Sequence, residues 1–289
     1  MSALAYPLLV AKGLVASYRA GQIVGREFSK FGRKLGLQLL ARGNRNGATY
    51  FASPVSITRY FEFPFAAEYV PINARECLDL SSPNLLSFFL ATRRGFDISV
   101  FNPDARDASR TARIAAALKI RNINVQTAAV DKLRDLRSRF DCIWSISVIE
   151  HISGEYDDRD AIRWMFDALK PGGRLIITTV VARSFQNHYR QQDAYGVQEK
   201  MADGTYFFER HYDRQALEER LFSVAQPTIV RWFGENTPGR FFSYFEDWIK
   251  RGLQCTVNDP LEISRYWQEY KSWESMPGVG IVGFVIDKP

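Results

Sequence analysis

The sequence has little of what builds metal or disulfide frames: three cysteines and three histidines in 289 residues. Cys77 and Cys142 fall in apolar stretches that read as strands, and Cys255 stands alone. An odd count without paired spacing argues against a disulfide frame or a zinc site and for reduced thiols in a cytoplasm. No cluster has metal-ligand spacing, so no metal is expected. No apolar run reaches the roughly eighteen residues of a membrane-spanning helix. Met1–Val10 carries no basic residue before its apolar part and no small-residue cleavage site follows, so no secretory signal is expected. Internal repeats and low-complexity tracts are also absent.

What is present is unevenly spread. Residues 1–48 hold eight Lys or Arg against one acid, Glu27, while the whole chain is only +6. The basic character therefore belongs to an N-terminal arm, and the near-neutral body, 49–289, does not read as a nucleic-acid binder. Within the arm, Val24, Phe28, Phe31 and Leu35 recur at helical spacing, with Arg26, Lys30 and Arg33 opposite. Pro7 and the glycines at 13, 21 and 25 break this helix into pieces, and Gly43–Gly47 reads as a linker. Such an arm docks on its own domain or on a second subunit; the alternative is peripheral attachment to an anionic membrane, at the inner face of a cytoplasmic membrane.

From Arg75 onward, short apolar runs alternate with helix-period segments, the pattern of a doubly wound, mostly parallel α/β sheet. Strands are predicted at 76–80, 97–101, 123–128, 140–146, 174–181, 226–233 and 279–286, and helices at 83–94, 104–118, 158–169 and 213–223. The stretch 234–278 is too long for a loop and predicts a helical insertion, with helices over 240–251 and 259–274.

Two signatures stand together at the centre. One is Phe140-Asp141-Cys142-Ile143-Trp144-Ser145 running to Val148-Ile149-Glu150-His151-Ile152; the other is Leu169-Lys170-Pro171-Gly172-Gly173-Arg174-Leu175. Proline and the glycines end the helix between them and turn the chain into the next strand. The pair resembles the fourth and fifth strands of class I, Rossmann-like S-adenosylmethionine-dependent methyltransferases. The resemblance implies a seven-stranded sheet whose last strand lies antiparallel between the fifth and sixth, and S-adenosylmethionine as cofactor at the carboxyl ends of the first, second and fourth strands.

Carried onto this chain, the first cofactor motif is Asp79-Leu80-Ser81-Ser82-Pro83. Asp79 matches the family's acid, but Ser81 and Ser82 stand where glycines usually let the cofactor approach. Ser82 suits an N-cap and Pro83 the first helical position. The second strand ends in Asn102, where the family has an acid for the ribose hydroxyls; Asp104 is a substitute acid or, more simply, the next helix's N-cap. Asp131 is the candidate for the adenine amino group, and Ser145, Ile146 and Ser147 line the methionyl side. His151, with an unperturbed pKa of about 6.5, is the first candidate base; the resemblance equally implies a structural Glu150-His151 pair that bonds neighbouring backbone. His211 and Glu209, in the segment where relatives place acceptor-facing residues, are the second, and Asp213 caps the following helix. Arg59 and Glu62, three apart, are positioned to pair. Aromatics gather near the insertion (Trp232, Phe233, Phe241, Phe242, Tyr244, Phe245, Trp248), and Arg231 and Arg240 are candidates for an anionic group on the acceptor.

The Ser81-Ser82-Pro83 turn and the lead-in Arg59-Tyr60-Phe61-Glu62-Phe63-Pro64 resemble methyltransferases of bacterial cell-surface polysaccharide or secondary-metabolite pathways. That resemblance implies methyl transfer to a small-molecule or glycan acceptor, with oxygen as the favoured atom. The lost glycines and Asn102 keep a second reading open, a catalytically silent methyltransferase-like binding or scaffolding subunit. Nucleic-acid methylation guided by the arm is the least favoured reading.

Overall fold

The structure, a computed structural model, describes residues 5–198, 200–250 and 256–289, with side chains described from residue 11. Cys255 and the end of the helix expected over 240–251 lie outside those residues. In chain order the elements are α1 (Ala5–Arg19), α2 (Arg26–Ala41), α3 (Asn46–Ala52), α4 (Arg59–Tyr69), β1 (Glu76–Leu80), α5 (Leu85–Arg94), β2 (Asp97–Asn102), α6 (Ala105–Leu118), β3 (Ile123–Thr127) and β4 (Phe140–Ile146). Then follow α7 (Asp158–Ala168), β5 (Leu169–Val181), β6 (Gln186–Arg190), β7 (Tyr206–His211), α8 (Arg214–Ala216), β8 (Ile229–Glu235), α9 (Arg240–Lys250), α10 (Asp259–Tyr266), β9 (Trp267–Tyr270) and β10 (Gly280–Asp287).

The main sheet runs β3-β2-β1-β4-β5-β10-β8-β9. Its first five strands are parallel, and β10 lies antiparallel between β5 and β8. The last strand thus sits where the resemblance put it. The sheet has eight strands rather than seven: β9 forms inside the stretch expected to be helix over 259–274, pairing antiparallel with β8. The helix stops at Tyr266 because Arg231 reaches across from β8 to grip both carboxylate oxygens of Glu269 at 2.7 and 3.0 Å, and Trp267 is buried at the sheet edge. A second departure is the antiparallel pair β6–β7, in a stretch for which no strand is predicted. A third is the helix expected over 213–223, of which only α8 is regular before a wider turn at Leu217–Leu221.

Strands buried on both faces read as continuous apolar runs. β4 shows this directly: Cys142, Trp144 and Ile146 pack into one core layer and Ile143 into the other. The first layer is covered by α2, α4 and α5, the second by α7. The two signatures at the centre prove to be fastenings. Asp141 accepts from the backbone N–H groups of Arg75 and Glu76 at 2.9 and 2.8 Å, and Lys170 Nζ bonds both Asp141 and Glu76 at 2.8 Å. This ties the start of β1 to β4 and β5 and fixes the register of the strands that carry the site.

The arm is not a free appendage. Phe28, Phe31, Leu35 and Leu39 of α2 are buried in the first core layer, each worth about 1.5–3 kcal/mol of apolar burial. Val24, expected on the same face, precedes the helix and is 40% exposed. Gly25, at φ +70°, starts α2 in the left-handed region, and a Cβ there would strike the Tyr60 carbonyl on α4.

Candidate active site

The turn after β1 keeps its shape without glycine. Asp79 is fully buried, and its carboxylate accepts from the Ser82 N–H at 2.9 Å and from the Ser87 hydroxyl. Burial pushes its pKa up to about 6. Ser81 takes the left-handed conformation, φ +55°, that glycine takes more easily. Its hydroxyl and its N–H both donate to the Phe101 carbonyl of β2, at 2.9 and 2.8 Å. The Ser82 hydroxyl accepts from Ile146 N–H of β4 at 3.0 Å. Both serine side chains therefore turn into the neighbouring strand ends and leave the space ahead of the turn open. Ser82 is not a helix cap; α5 starts at Leu85, after Asn84.

That space is a cavity of about 650 Å³ at the carboxyl ends of β1, β2 and β4. Of the expected cofactor residues, Ser81, Ser82 and Asn102 line it. Asn102 is engaged within its own turn: its amide donates to Asp107 and its oxygen accepts from Asp104 N–H, both at 2.9 Å. Asp104 caps α6, accepting from Arg106 N–H at 2.9 Å, and also faces the cavity, as does Asp107. Asp79, Asp131, Ser145 and Ile146 are not on the wall. Asp79 holds the turn from behind. Asp131 lies instead close to Tyr156, which does line the cavity, and Ser145 and Ile146 are wholly buried in β4.

A second, smaller cavity of about 70 Å³ adjoins the first. Arg59, Ser147, His151, Tyr195 and Trp248 line both. Arg59 pairs with Glu62, as the spacing predicts, and also donates to the Ser147 hydroxyl at 2.8 Å. Ser147, at φ +47°, and Thr178 donate to Glu62 Oε1 at 2.5 and 2.6 Å. A wholly buried carboxylate with three partners locks the dividing wall.

The candidate bases converge on the small cavity. His151 Nδ1 lies 2.6 Å from the Phe208 carbonyl oxygen. A carbonyl only accepts, so Nδ1 carries the proton and the neutral ring presents Nε2 as a lone pair. Burial lowers the His151 pKa and favours this neutral form. Glu209 lines the cavity; its Oε1 bonds His211 Nε2 at 2.7 Å and its Oε2 lies 4.0 Å from His151 Nε2. His211 is buried behind Glu209, off both cavity walls, with His188 packed on its ring at 4.0 Å.

Glu150, which the resemblance pairs with His151, is also on the small cavity's wall. It is fully buried; Thr179 donates to Oε2 at 3.0 Å, Oε1 has no hydrogen-bond partner among the described residues, and burial raises its pKa to about 8. Phe241, Tyr244, Phe245, Trp248 and Trp267 supply aromatic walls. Phe233 is instead core, and Phe242 is exposed. Arg231 and Arg240, expected to receive an anionic acceptor, are taken up by Glu269 and Glu68, and by Glu262, away from both cavities. Tyr195 carries no sequence signal, since it lies between β6 and β7, where no pattern is readable. No group of three or more His, Cys, Asp or Glu is placed to hold a metal among the described residues.

The profile of a family described as "Methyltransferase domain" matches residues 75–226. No curated protein matches the chain. Among solved structures it is similar to coclaurine N-methyltransferase bound to N-methylheliamine and SAH, at 12% identity over 98% of this chain and 88% of that one, with a TM-score of 0.50. It is also similar to geranyl diphosphate C-methyltransferase from Streptomyces coelicolor A3(2) (14% identity, 74% and 71% covered, TM-score 0.46). A third likeness is to the [4+2]-cyclase SpnF (16% identity, 78% of each chain covered, TM-score 0.48). Identities this low bear on fold alone.

Proposed function

The chain belongs to the methyltransferase-domain family, and from that premise we propose that it transfers the methyl group of S-adenosylmethionine to a small-molecule acceptor held in the aromatic-walled cavity. The observation that carries this reading is the pair of adjoining cavities that share Arg59, Ser147 and His151. The larger is of a size that encloses nucleoside-sized ligands, which occupy pockets of roughly 300–1,000 Å³. The serine side chains leave it open, and Asp104 and Asp107 on its wall supply the acidic acceptors that Asn102 lacks. Ser81, Asn102, Asp104 and Asp107 would hold the cofactor there, with Tyr156 and Val130 as the apolar wall. Bound in that place, the cofactor supplies an activated methyl group on a sulfonium.

The chain's own work is to position, to exclude water and to move a proton. Aligning the acceptor can be worth roughly 7–11 kcal/mol. Aromatic side chains form much of the small cavity's wall, and His151 Nε2 is a proton acceptor held in one tautomer by Phe208. An acceptor hydroxyl, a sugar hydroxyl among them, would lose its proton there.

Calorimetry with S-adenosylhomocysteine tests the reading: binding in the micromolar range is expected. No heat at high micromolar ligand would leave the chain as a silent scaffold. The outward faces of α1 and α2, where Leu14, Val15, Tyr18 and Leu37 lie exposed beside Lys12, Lys30 and Lys34, suit contact with an anionic membrane carrying such an acceptor. Sedimentation with phosphatidylglycerol vesicles should pull the protein down at low salt and release it at high salt; recovery in the supernatant at both would refute this contact.

A further inference from the structure

One strand grips His151 from two sides. In β7, Phe208 and Glu209 are neighbours and meet opposite nitrogens of the ring: the Phe208 carbonyl accepts from Nδ1 at 2.6 Å, and Glu209 Oε2 faces Nε2 at 4.0 Å. Glu209 and His211 are two apart and so share a face of the strand. His211 Nε2 lies 2.7 Å from Glu209 Oε1; a carboxylate oxygen accepts, so Nε2 donates, and the buried, unpartnered Nδ1 is the bare nitrogen of that ring. The His211 ring is itself held fast, with His188 against it at 4.0 Å, Phe242 stacked at 5.7 Å and Phe241 edge-on at 5.7 Å. One oxygen of Glu209 is thereby tied to His211, and the other faces the nitrogen of His151 that is open to a proton.

At 4.0 Å this approach is too long for a hydrogen bond, yet it falls inside the roughly 4–6 Å over which an opposite charge favours a protonated imidazole. Burial works hardest against a charged His151, and the Glu209 carboxylate is the strongest influence the other way. Arg59 of α4, paired with Glu62, and His211 also oppose protonation; Glu150 is the neighbour in the chain, and Tyr195 stands edge-on at 5.0 Å.

We infer that Glu209 is the counter-charge that settles His151 once the ring has taken the acceptor's proton, and that His211 is the positioning residue that holds Glu209 to it. The inference rests on the methyl-transfer reading and deepens it: the second pair of candidate bases supports the first instead of replacing it. The acceptor O–H bond breaks, its proton going to His151 Nε2 and its electron pair staying on oxygen. That oxygen bonds the methyl carbon as the carbon parts from sulfur, where the old bonding pair remains. A positive charge thus leaves the sulfonium and arises on the His151 ring, across from Glu209 Oε2. It is discharged when the proton passes to solvent after the product departs.

With three histidines in the full chain, the imidazole resonances are few enough to follow one by one in an NMR titration, His188→Gln and His211→Gln identifying the other two signals. In Glu209→Gln, His151 is expected to reach half-protonation at least about one pH unit lower than in wild type. His211→Leu should lower the midpoint as well. His211→Gln, whose amide still donates to Oε1, should return it toward the wild-type position, a rescue that a merely structural His211 would not show. S-adenosylhomocysteine should bind wild type and the variants alike, which certifies their folding, since neither Glu209 nor His211 lines the larger cavity. The assignment is overturned by an unmoved or raised midpoint in Glu209→Gln, by equal midpoints in His211→Leu and His211→Gln, or by a wild-type His151 that stays unprotonated down to the acid limit of folding. Failure of the wild-type chain to bind S-adenosylhomocysteine would instead overturn the methyl-transfer reading beneath it, with the titration still readable on the free chain.

Discussion

The two cavities on either side of Arg59 are built in opposite ways. The larger is walled in good part by the turns that end β1, β2 and β4, whose short polar side chains bond backbone groups of those turns and of the adjoining strand ends. The smaller is walled by long side chains from α4, the end of β4, β7, α9 and β9, segments far apart in sequence. A cavity made of backbone tolerates changes of side chain provided the turn survives, which is how serines stand in for glycines at 81 and 82. A cavity made of converging side chains loses its chemistry one residue at a time.

That contrast can be broken most sharply at His151. His151→Gln should lower the rate of methyl transfer by about 100- to 10,000-fold, since a positioned base is worth that much. The affinity for S-adenosylhomocysteine should change far less; single-turnover rates beside calorimetry would show whether the two effects separate. Glu62→Ala strikes the wall common to both cavities. It leaves Arg59 and two hydroxyls without their buried partner, so about 3–5 kcal/mol of stability should be lost in urea unfolding, together with ligand binding at both sites.

The gentlest test uses acidity. Asp79, behind the large cavity, and Glu150, on the small one, both have pKa values raised by burial, to about 6 and about 8. A raised carboxyl pKa means that the folded chain holds its proton more tightly than the unfolded chain. The resulting stabilisation is complete below the unfolded value of about 4 and is lost as pH rises through the folded value. Asp79→Asn should therefore flatten the decline of stability between about pH 4 and about 6, and Glu150→Gln a wider one extending to about 8. Unfolding free energies at intervals across that range would show both slopes; identical profiles for wild type and variants would contradict the assigned burial effects.

How much of this was readable in the residues follows from the same contrast. The parallel strands were legible because they are buried on both faces and broken by proline and glycine at their turns. Asp141 and Lys170 marked the centre for a physical reason, since they fasten three strands together. The eighth strand was not legible: Trp267–Tyr270 is four residues long, and its pairing depends on Arg231, some forty positions away, gripping Glu269. The β6–β7 pair likewise has no alternating pattern to announce it. At the site, Ser81 and Ser82 stand where glycines are usual; their bonds to Phe101 and Ile146 depend on a left-handed turn that residue names do not specify. Glu150 stood in plain view beside His151, yet only the fold brings it within one cavity of Glu209 and Trp267.

The missing side chain at Gly25 has a consequence for how the molecule can move. There the first turn of α2 rests directly on the Tyr60 carbonyl, one residue from Arg59. The amino-terminal helices and the partition between the chambers are thereby mechanically joined, and peeling the former away would unseat the latter. A trimmed chain beginning after the linker would lose its doorpost along with its arm.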